Sequence, residues 1–296
     1  MQSNSACIQN KQYELVALLG LGKCFDQEND KEQAIEILEG AFDDACVLEN
    51  EEQRNEMTKL IGKDLIEIYI KKAKECEKFD SSLGLEAYRS ALKVAKRAKE
   101  LQSEARISHK IGELYYEEEN YKESVKYQED YLELLKKSLD EEYERIGMDE
   151  MNEKKDTTQE KLALKFKEME AHASLAKCYL KLKELGEAET HLNEYHRMAK
   201  EAKAQNSVAD SSYYLAKLFD EKGEKDKSIV FYQSYFEAAK SEKPDKKDRK
   251  LVDKARVAFA IAKSNRNMDK YIGIMKEEET ESLKLLLDWK IKRILK

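Results

Sequence analysis

Residues 104–137 read EARISHKIGELYYEEENYKESVKYQEDYLELLKK, and this stretch decides the fold. Counting from Gly112, an aromatic follows at +3 (Tyr115), a small residue at +12 (Ser124) and a tyrosine at +19 (Tyr131). The same offsets recur from Gly22 (Phe25, Ala34, Ala41), from Ala176 (Tyr179, Ala188, Tyr195) and from Ala216 (Phe219, Ser228, Tyr235). Small residues at these offsets let the two helices of a hairpin approach closely, and the aromatic fills the wedge between that hairpin and the next. Self-similarity of this kind marks a repeat architecture, in which each hairpin buries its apolar face only by stacking on its neighbours.

The pattern resembles the tetratricopeptide repeat, whose helix A carries the Gly/Ala-x-x-Tyr element and whose helix B carries the small residue. The resemblance implies an all-α, right-handed superhelical solenoid of five to six hairpins closed by a C-terminal capping helix. Ala176 and Ala216 are 40 residues apart, against about 34 in the standard unit, so the helices are expected to be longer than usual. That longer unit is similar to those of kinesin light chains and the Pins family of adaptors, which line a groove for extended or helical peptides.

Composition agrees with helix throughout. The 296 residues include one proline and ten glycines, and 39% are charged; Leu, Ala, Glu and Lys, all good helix formers, dominate. No apolar run approaches the length of a membrane span, and the polar start is not expected to be a signal peptide. Five cysteines show no paired metal spacing. Cys24 and Cys178 share a repeat position, where free cysteine is expected to act as a small core residue. An odd cysteine count fits a reducing, cytoplasmic setting. The net charge of −7 gives nucleic-acid binding no general support. The charge is uneven: 138–161 holds nine acids against four bases, and 242–256 seven bases against four acids.

These features divide the chain into N-terminal repeats (1–137), an acidic insertion (138–161), C-terminal repeats (162–276) and a capping helix (277–296). The second repeat is degenerate, with Ile68, Tyr69 and Ala73 in its helix A, Tyr88 and Ala91 in its helix B, and Phe79-Asp80-Ser81-Ser82 as turn and cap. The insertion is expected to extend a helix B, break near Gly147 and re-enter helix near Thr158. A sixth pair is expected over 251–276, broken at Asn265-Arg266-Asn267. Residues 282–296 form an amphipathic pattern with Leu283, Leu286, Leu287, Ile291 and Ile294 on one side, and Trp289 is expected to anchor this cap.

No catalytic constellation stands out. His191 and His196 lie five apart, which does not bring two imidazoles to one helix face, and no phosphate loop, His-Glu-x-x-His or Gly-x-Ser-x-Gly motif occurs. The chain reads as non-enzymatic, with no cofactor and no metal. Binding is the better-supported class. In the repeats it resembles, the groove is lined by helix A at the positions three before and one and four after the small residue. Those positions hold Leu19, Lys23 and Asp26; His109, Glu113 and Tyr116; Ala173, Lys177 and Leu180; and Tyr213, Lys217 and Asp220. His109, Glu113, Tyr116, Lys177, Tyr213, Lys217 and Asp220 form the candidate partner-binding groove. The chaperone-binding subclass grips a peptide's terminal carboxylate with a lysine at the first of these positions, and this chain has none there. Tyr131, Tyr195 and Tyr235 stand where alanine is usual, which fits either wider hairpin packing or a tyrosine ladder partly exposed to a ligand.

Ala255-Arg256-Val257, Ile261-Ala262-Lys263, Tyr271 and Leu286-Leu287-Asp288-Trp289-Lys290 resemble the C-terminal end of the tetratricopeptide repeat protein 29 family of motile cilia and sperm flagella. Ser264 stands where that family would have glycine. The resemblance implies an axonemal adaptor, with dynein arms or other axonemal components as protein partners. The alternative is a cytoplasmic peptide-binding cargo or signalling adaptor of kinesin-light-chain or Pins type.

Overall fold

A computed structural model describes residues 2–148, 156–241 and 249–276, together with residues 284, 287, 288, 290 and 291. The fold is all-α. Helices α1 (Gln2–Gln27), α2 (Lys31–Cys46), α3 (Glu51–Cys76), α4 (Ser81–Ala98), α5 (Leu101–Glu117) and α6 (Tyr121–Met148) precede α7 (Asp156–Leu182). Then follow α8 (Leu185–Glu201), α9 (Gln205–Glu221), α10 (Lys225–Lys240) and α11 (Arg249–Lys276). The chain forms two compact units, Met1–Ala171 and His172–Lys296, with the boundary inside α7. In the first unit α1–α2, α3–α4 and α5–α6 are hairpins, α2 packs on α3, and α4 on α5. In the second, α9 pairs with α10, α8 packs on α9 and α10 on α11.

Local chemistry sets the helix ends. Asp30, Asn50 and Asp80 are N-caps whose side-chain oxygens accept from the first-turn amides of Gln33, Glu52 and Ser82. Four of the helix A ends share one device. Asp30 N donates to Phe25 O (2.9 Å), Asn120 N to Tyr115 O (2.9 Å), Glu184 N to Tyr179 O (3.0 Å) and Glu224 N to Phe219 O (2.8 Å). In each turn the residue before the donor, Asn29, Glu119, Lys183 or Gly223, is left-handed, with φ between 59° and 75°. This is a helix C-cap in which a six-residue loop closes on the carbonyl of the +3 aromatic. The repeat's aromatic therefore serves the turn with its backbone while its ring packs in the wedge.

The small residues do what their spacing implied. A Cβ on Gly22 would lie 2.6 Å from Leu38 Cγ, and one on Gly112 would lie 2.5 Å from Gln128 Nε2. Ala34, Ala176, Ala188 and Ala216 are wholly buried. Around them Leu38, Ile61, Leu65 and Ile111 in the first unit, and Leu175, Leu192 and Leu215 in the second, are also fully enclosed. Each such side chain is worth roughly 1.5–3 kcal/mol of transfer free energy. Phe219 stacks on Phe231 (centroids 5.4 Å apart) and Phe236 on Phe259 (6.4 Å), tying α9, α10 and α11 into one core.

Four expectations need correction or placement. The expected break at Asn265-Arg266-Asn267 is absent: α11 runs unbroken through it. Asparagine disfavours helix by well under 1 kcal/mol relative to alanine, and no glycine or proline enforces a stop. Cys24, expected in the core, is exposed, whereas Cys178 is buried. Leu19 and Ala173, expected on the groove, are buried, because the position three before the small residue turns toward helix B. Of the 277–296 segment, the described Leu287 and Ile291 are exposed; Trp289 and most of the segment lie outside the described residues, as do 149–155. Among the described residues no helix is long and apolar enough to cross a membrane.

Candidate partner-binding surfaces

In the first unit α5 presents His109, Glu113 and Tyr116. Gln128 Nε2 donates to the His109 carbonyl (3.2 Å), which fixes the amide so that its Oε1 faces His109 Nδ1 at 3.0 Å. Nδ1 therefore carries a proton and donates to Gln128. His109 Nε2 is left facing Glu113 (3.6 Å) and Glu170 (3.9 Å), with its ring 4.6 Å from that of Tyr131. The missing side chain of Gly112 makes room for Gln128, while Ser124 Oγ donates to the Gly112 carbonyl (2.7 Å). Glu113 is exposed and shares Lys110 with Glu77. Tyr116 is half-buried and edge-on to Tyr121.

Behind His109 opens a cavity of ≈ 440 Å³. Lys63 and Glu67 of α3 and Arg106 of α5 line one part. Tyr131 and Leu135 of α6, with Leu164, Lys167 and Glu170 of α7, line another. Arg106 is bonded to Glu67, and Glu100, also in the lining, has Lys59 Nζ at 3.5 Å. Tyr131 is 3% exposed. Burial, reinforced by the Glu170 and Glu113 carboxylates, pushes its hydroxyl pKa well above the ordinary phenol value, so it stays a proton donor.

In the second unit Lys177, Tyr213 and Lys217 come together through their neighbours. Lys177 Nζ lies 5.2 Å from the centre of the Tyr214 ring and 4.0 Å from Asp210 Oδ2. Tyr214 meets Tyr213 edge-on (5.4 Å), and Lys217 Nζ sits 4.7 Å over the Tyr213 ring. Asp210 is raised by partial burial, with Lys177 and the Tyr195 hydroxyl acting to lower it. Asp220, the remaining residue of the expected groove, is turned to its own hairpin, accepting from Ser228 Oγ and from the Tyr232 hydroxyl (3.0 Å). Its carboxylate holds helix B.

Sequence reasoning missed two polar pairs that only folding assembles. His172 Nδ1 lies 2.9 Å from His191 Nδ1, one nitrogen donating and the other accepting, and Tyr179 stacks on His191 (5.6 Å, 11°). His196, 9% exposed, has Nδ1 2.9 Å from Ser211 Oγ. Since Ser211 donates to the Val208 carbonyl, its oxygen is left to accept from the imidazole. Burial, and to a smaller degree Lys200, lowers the His196 pKa to about 4. Nineteen residues separate His172 from His191 and fifteen separate His196 from Ser211, spacings no short motif would reveal.

Comparison with known proteins places this arrangement. Two family models described as tetratricopeptide repeat match residues 16–43 and 105–134. Among solved structures, BtubC (BKLC) from P. vanneervenii is similar over 78% of this chain and 82% of its own, at 14% identity and a TM-score of 0.52. The apo form of RapI covers 93% of this chain and 81% of its own (13% identity, TM-score 0.49). A putative kinesin light chain with TPR-like repeats from Podosopora anserina covers 76% and 94% (13% identity, TM-score 0.41). No curated protein matches the chain. At such identities the likeness is one of fold. The matched segments carry the Gly22 and Gly112 offsets with which the sequence reading began, and over those two segments the chain is similar to tetratricopeptide repeats.

Proposed function

We propose that the chain is a non-catalytic protein-interaction scaffold whose helix A faces hold a segment of a partner protein. The observation that carries this is the strip in the second unit where Lys177 and Lys217 lie over the rings of Tyr214 and Tyr213. Tyrosines and long cations on a partly desolvated surface are the residue types that dominate partner binding. Mixed charge and aromatic area suit a segment that alternates acidic and apolar residues. Changing Lys177→Glu and Lys217→Glu together is expected to weaken capture of the partner that co-purifies with the tagged wild-type chain at least tenfold, about 1.4 kcal/mol. Helicity and melting should be unchanged. Unaltered binding by the double variant would place the contact surface elsewhere.

The setting we favour is the axoneme, as a dynein-linked or structural adaptor, on the resemblance of residues 255–290 to the ciliary family. The 40-residue spacing from Ala176 to Ala216 supports a second reading, a cytoplasmic adaptor for cargo or signalling peptides. Detergent extraction separates them: retention in extracted axonemes supports the first, and full release the second.

A further inference from the structure

We propose that the outer side of α11 is the seam of a homodimer, in which the helix packs antiparallel against α11 of a second copy of this chain. This goes beyond the scaffold reading above: it uses another surface and neither Lys177 nor Lys217.

α11 has two apolar sides. Ala255 and Ala262 are buried, Phe259 stacks on Phe236 and Arg266 pairs with Asp226, so one side is spent on α10. Val257, Ile261, Ser264, Met268, Tyr271 and Met275 follow one another at intervals of 4, 3, 4, 3 and 4. That spacing returns them to a single strip on the side of the helix opposite Ala255. Val257, Ile261, Met268 and Met275 are 47–57% exposed, and Ile272 at the edge of the strip is exposed too. The strip is about 27 Å long. An exposed apolar row with this period is the seam by which one helix packs on another.

Charge selects the occupant. The helix opens on Arg249, Lys250, Lys254 and Arg256, with Asp253 as the one acid among them, and past Lys276 the sequence continues Glu277-Glu278-Glu279-Thr280-Glu281. A second copy laid antiparallel brings each basic start to the other's acidic end, twice over through the two-fold axis. A parallel copy would set like on like. With the axis near Arg266, Val257 meets Met275 of the second copy, Ile261 meets Tyr271 and Ser264 meets Met268, so small and large side chains alternate across the seam. The chain's own residues 282–296 fit the strip less well. Folded back on α11, they would bring Lys290, Lys292, Arg293 and Lys296 toward Lys263 and the basic start of the helix. Fifteen residues of helix, about 22 Å, would also leave part of the strip bare. The described Leu287 and Ile291 are exposed, so neither is spent on it.

Sedimentation velocity on the full chain, from about 1 to 100 μM, spans the range in which a short seam of this kind dissociates. The mass is expected to rise with concentration and level off at a dimer. Ile261→Glu/Met268→Glu changes two exposed side chains and should stay monomeric throughout, with the wild type's helicity. If that variant loses helicity, the charge variants decide. Lys250→Glu/Lys254→Glu and Glu278→Lys/Glu281→Lys should each weaken the dimer about fivefold or more. Joining all four changes should restore it to within about twofold of the wild type, because antiparallel pairing sets these groups opposite one another. A monomer at every concentration overturns the proposal and leaves the strip to another partner or to residues 282–296. A dimer that survives Ile261→Glu/Met268→Glu pairs through another surface and overturns it as well. Growth past the dimer, the mark of a head-to-tail contact, does the same. Charge variants that associate like the wild type overturn the antiparallel seam.

Discussion

Tyr131 in the first unit and Tyr195 in the second occupy the same repeat position and are almost equally buried, at 3% and 6% exposure. Their hydroxyls differ. Tyr195 reaches Asp210 Oδ2 at 3.3 Å, and Asp210 in turn faces Lys177, so the polar atoms there are already spent on one another. Tyr131 closes no such circuit and borders a cavity. One side chain, placed by one repeat rule, is a structural strut in one hairpin and an open donor in the other. The decision falls to a residue outside the repeat pattern: Asp210 of the following helix, which meets the Tyr195 hydroxyl.

The largest expected effect removes the rings altogether. Tyr131→Ala and Tyr195→Ala should each destabilise by about 3–5 kcal/mol, the range for truncating a large buried aromatic, as read by chemical denaturation of each variant. A loss under about 1 kcal/mol at Tyr131 would mean that its ring carries no packing load, and the comparison would fail. Next in size is an effect special to the second unit. His196 has a folded pKa of about 4 against an ordinary 6.5, so between those values the unfolded chain binds a proton that the folded chain refuses. Stability is therefore complete above about pH 6.5 and is lost as pH falls toward 4, by roughly 1–3 kcal/mol. His196→Gln should flatten that part of the stability–pH curve; an identical slope in the variant would assign the acid sensitivity to other groups.

The finest test removes only the hydroxyls. Tyr195→Phe strips Asp210 of a donor and should cost about 1–2 kcal/mol, while Tyr131→Phe should be neutral or slightly stabilising. Equal losses at both positions, measured by denaturant midpoint, would show that Tyr131 is bonded after all and erase the distinction.

How much of this was legible in the sequence follows from what each feature requires. The Gly112–Tyr115–Ser124–Tyr131 offsets reflect contacts inside one hairpin, so they survive as a readable period, and the all-α repeat fold followed from them. The groove positions were half-legible. The residue one after each small residue does face outward, as at Glu113 and Lys217, but the residue three before points inward at Leu19 and Ala173. The turns were poorly legible, because Glu119 and Lys183 adopt left-handed φ, where glycine or asparagine is the usual signal. The unbroken α11 was misread because Asn265 and Asn267, two weak helix formers close together, suggest a stop that nothing enforces. The cavity was invisible: residues 63, 131 and 167 belong to three helices, and nothing local links them.

The turn built on the aromatic's carbonyl has a dynamic corollary. In the four helix A ends built this way the closing bond joins atoms only five residues apart in sequence, so a hairpin can fray or re-form without waiting for distant parts of the chain. Amide hydrogen exchange should accordingly resolve the protein into cooperative blocks one hairpin long. Within each block the amides of Asp30, Asn120, Glu184 and Glu224 should exchange with the helix they close rather than with the turn they sit in. Mechanical pulling from either end would then be expected to extract those blocks one after another, in steps set by hairpin length rather than in a single rupture.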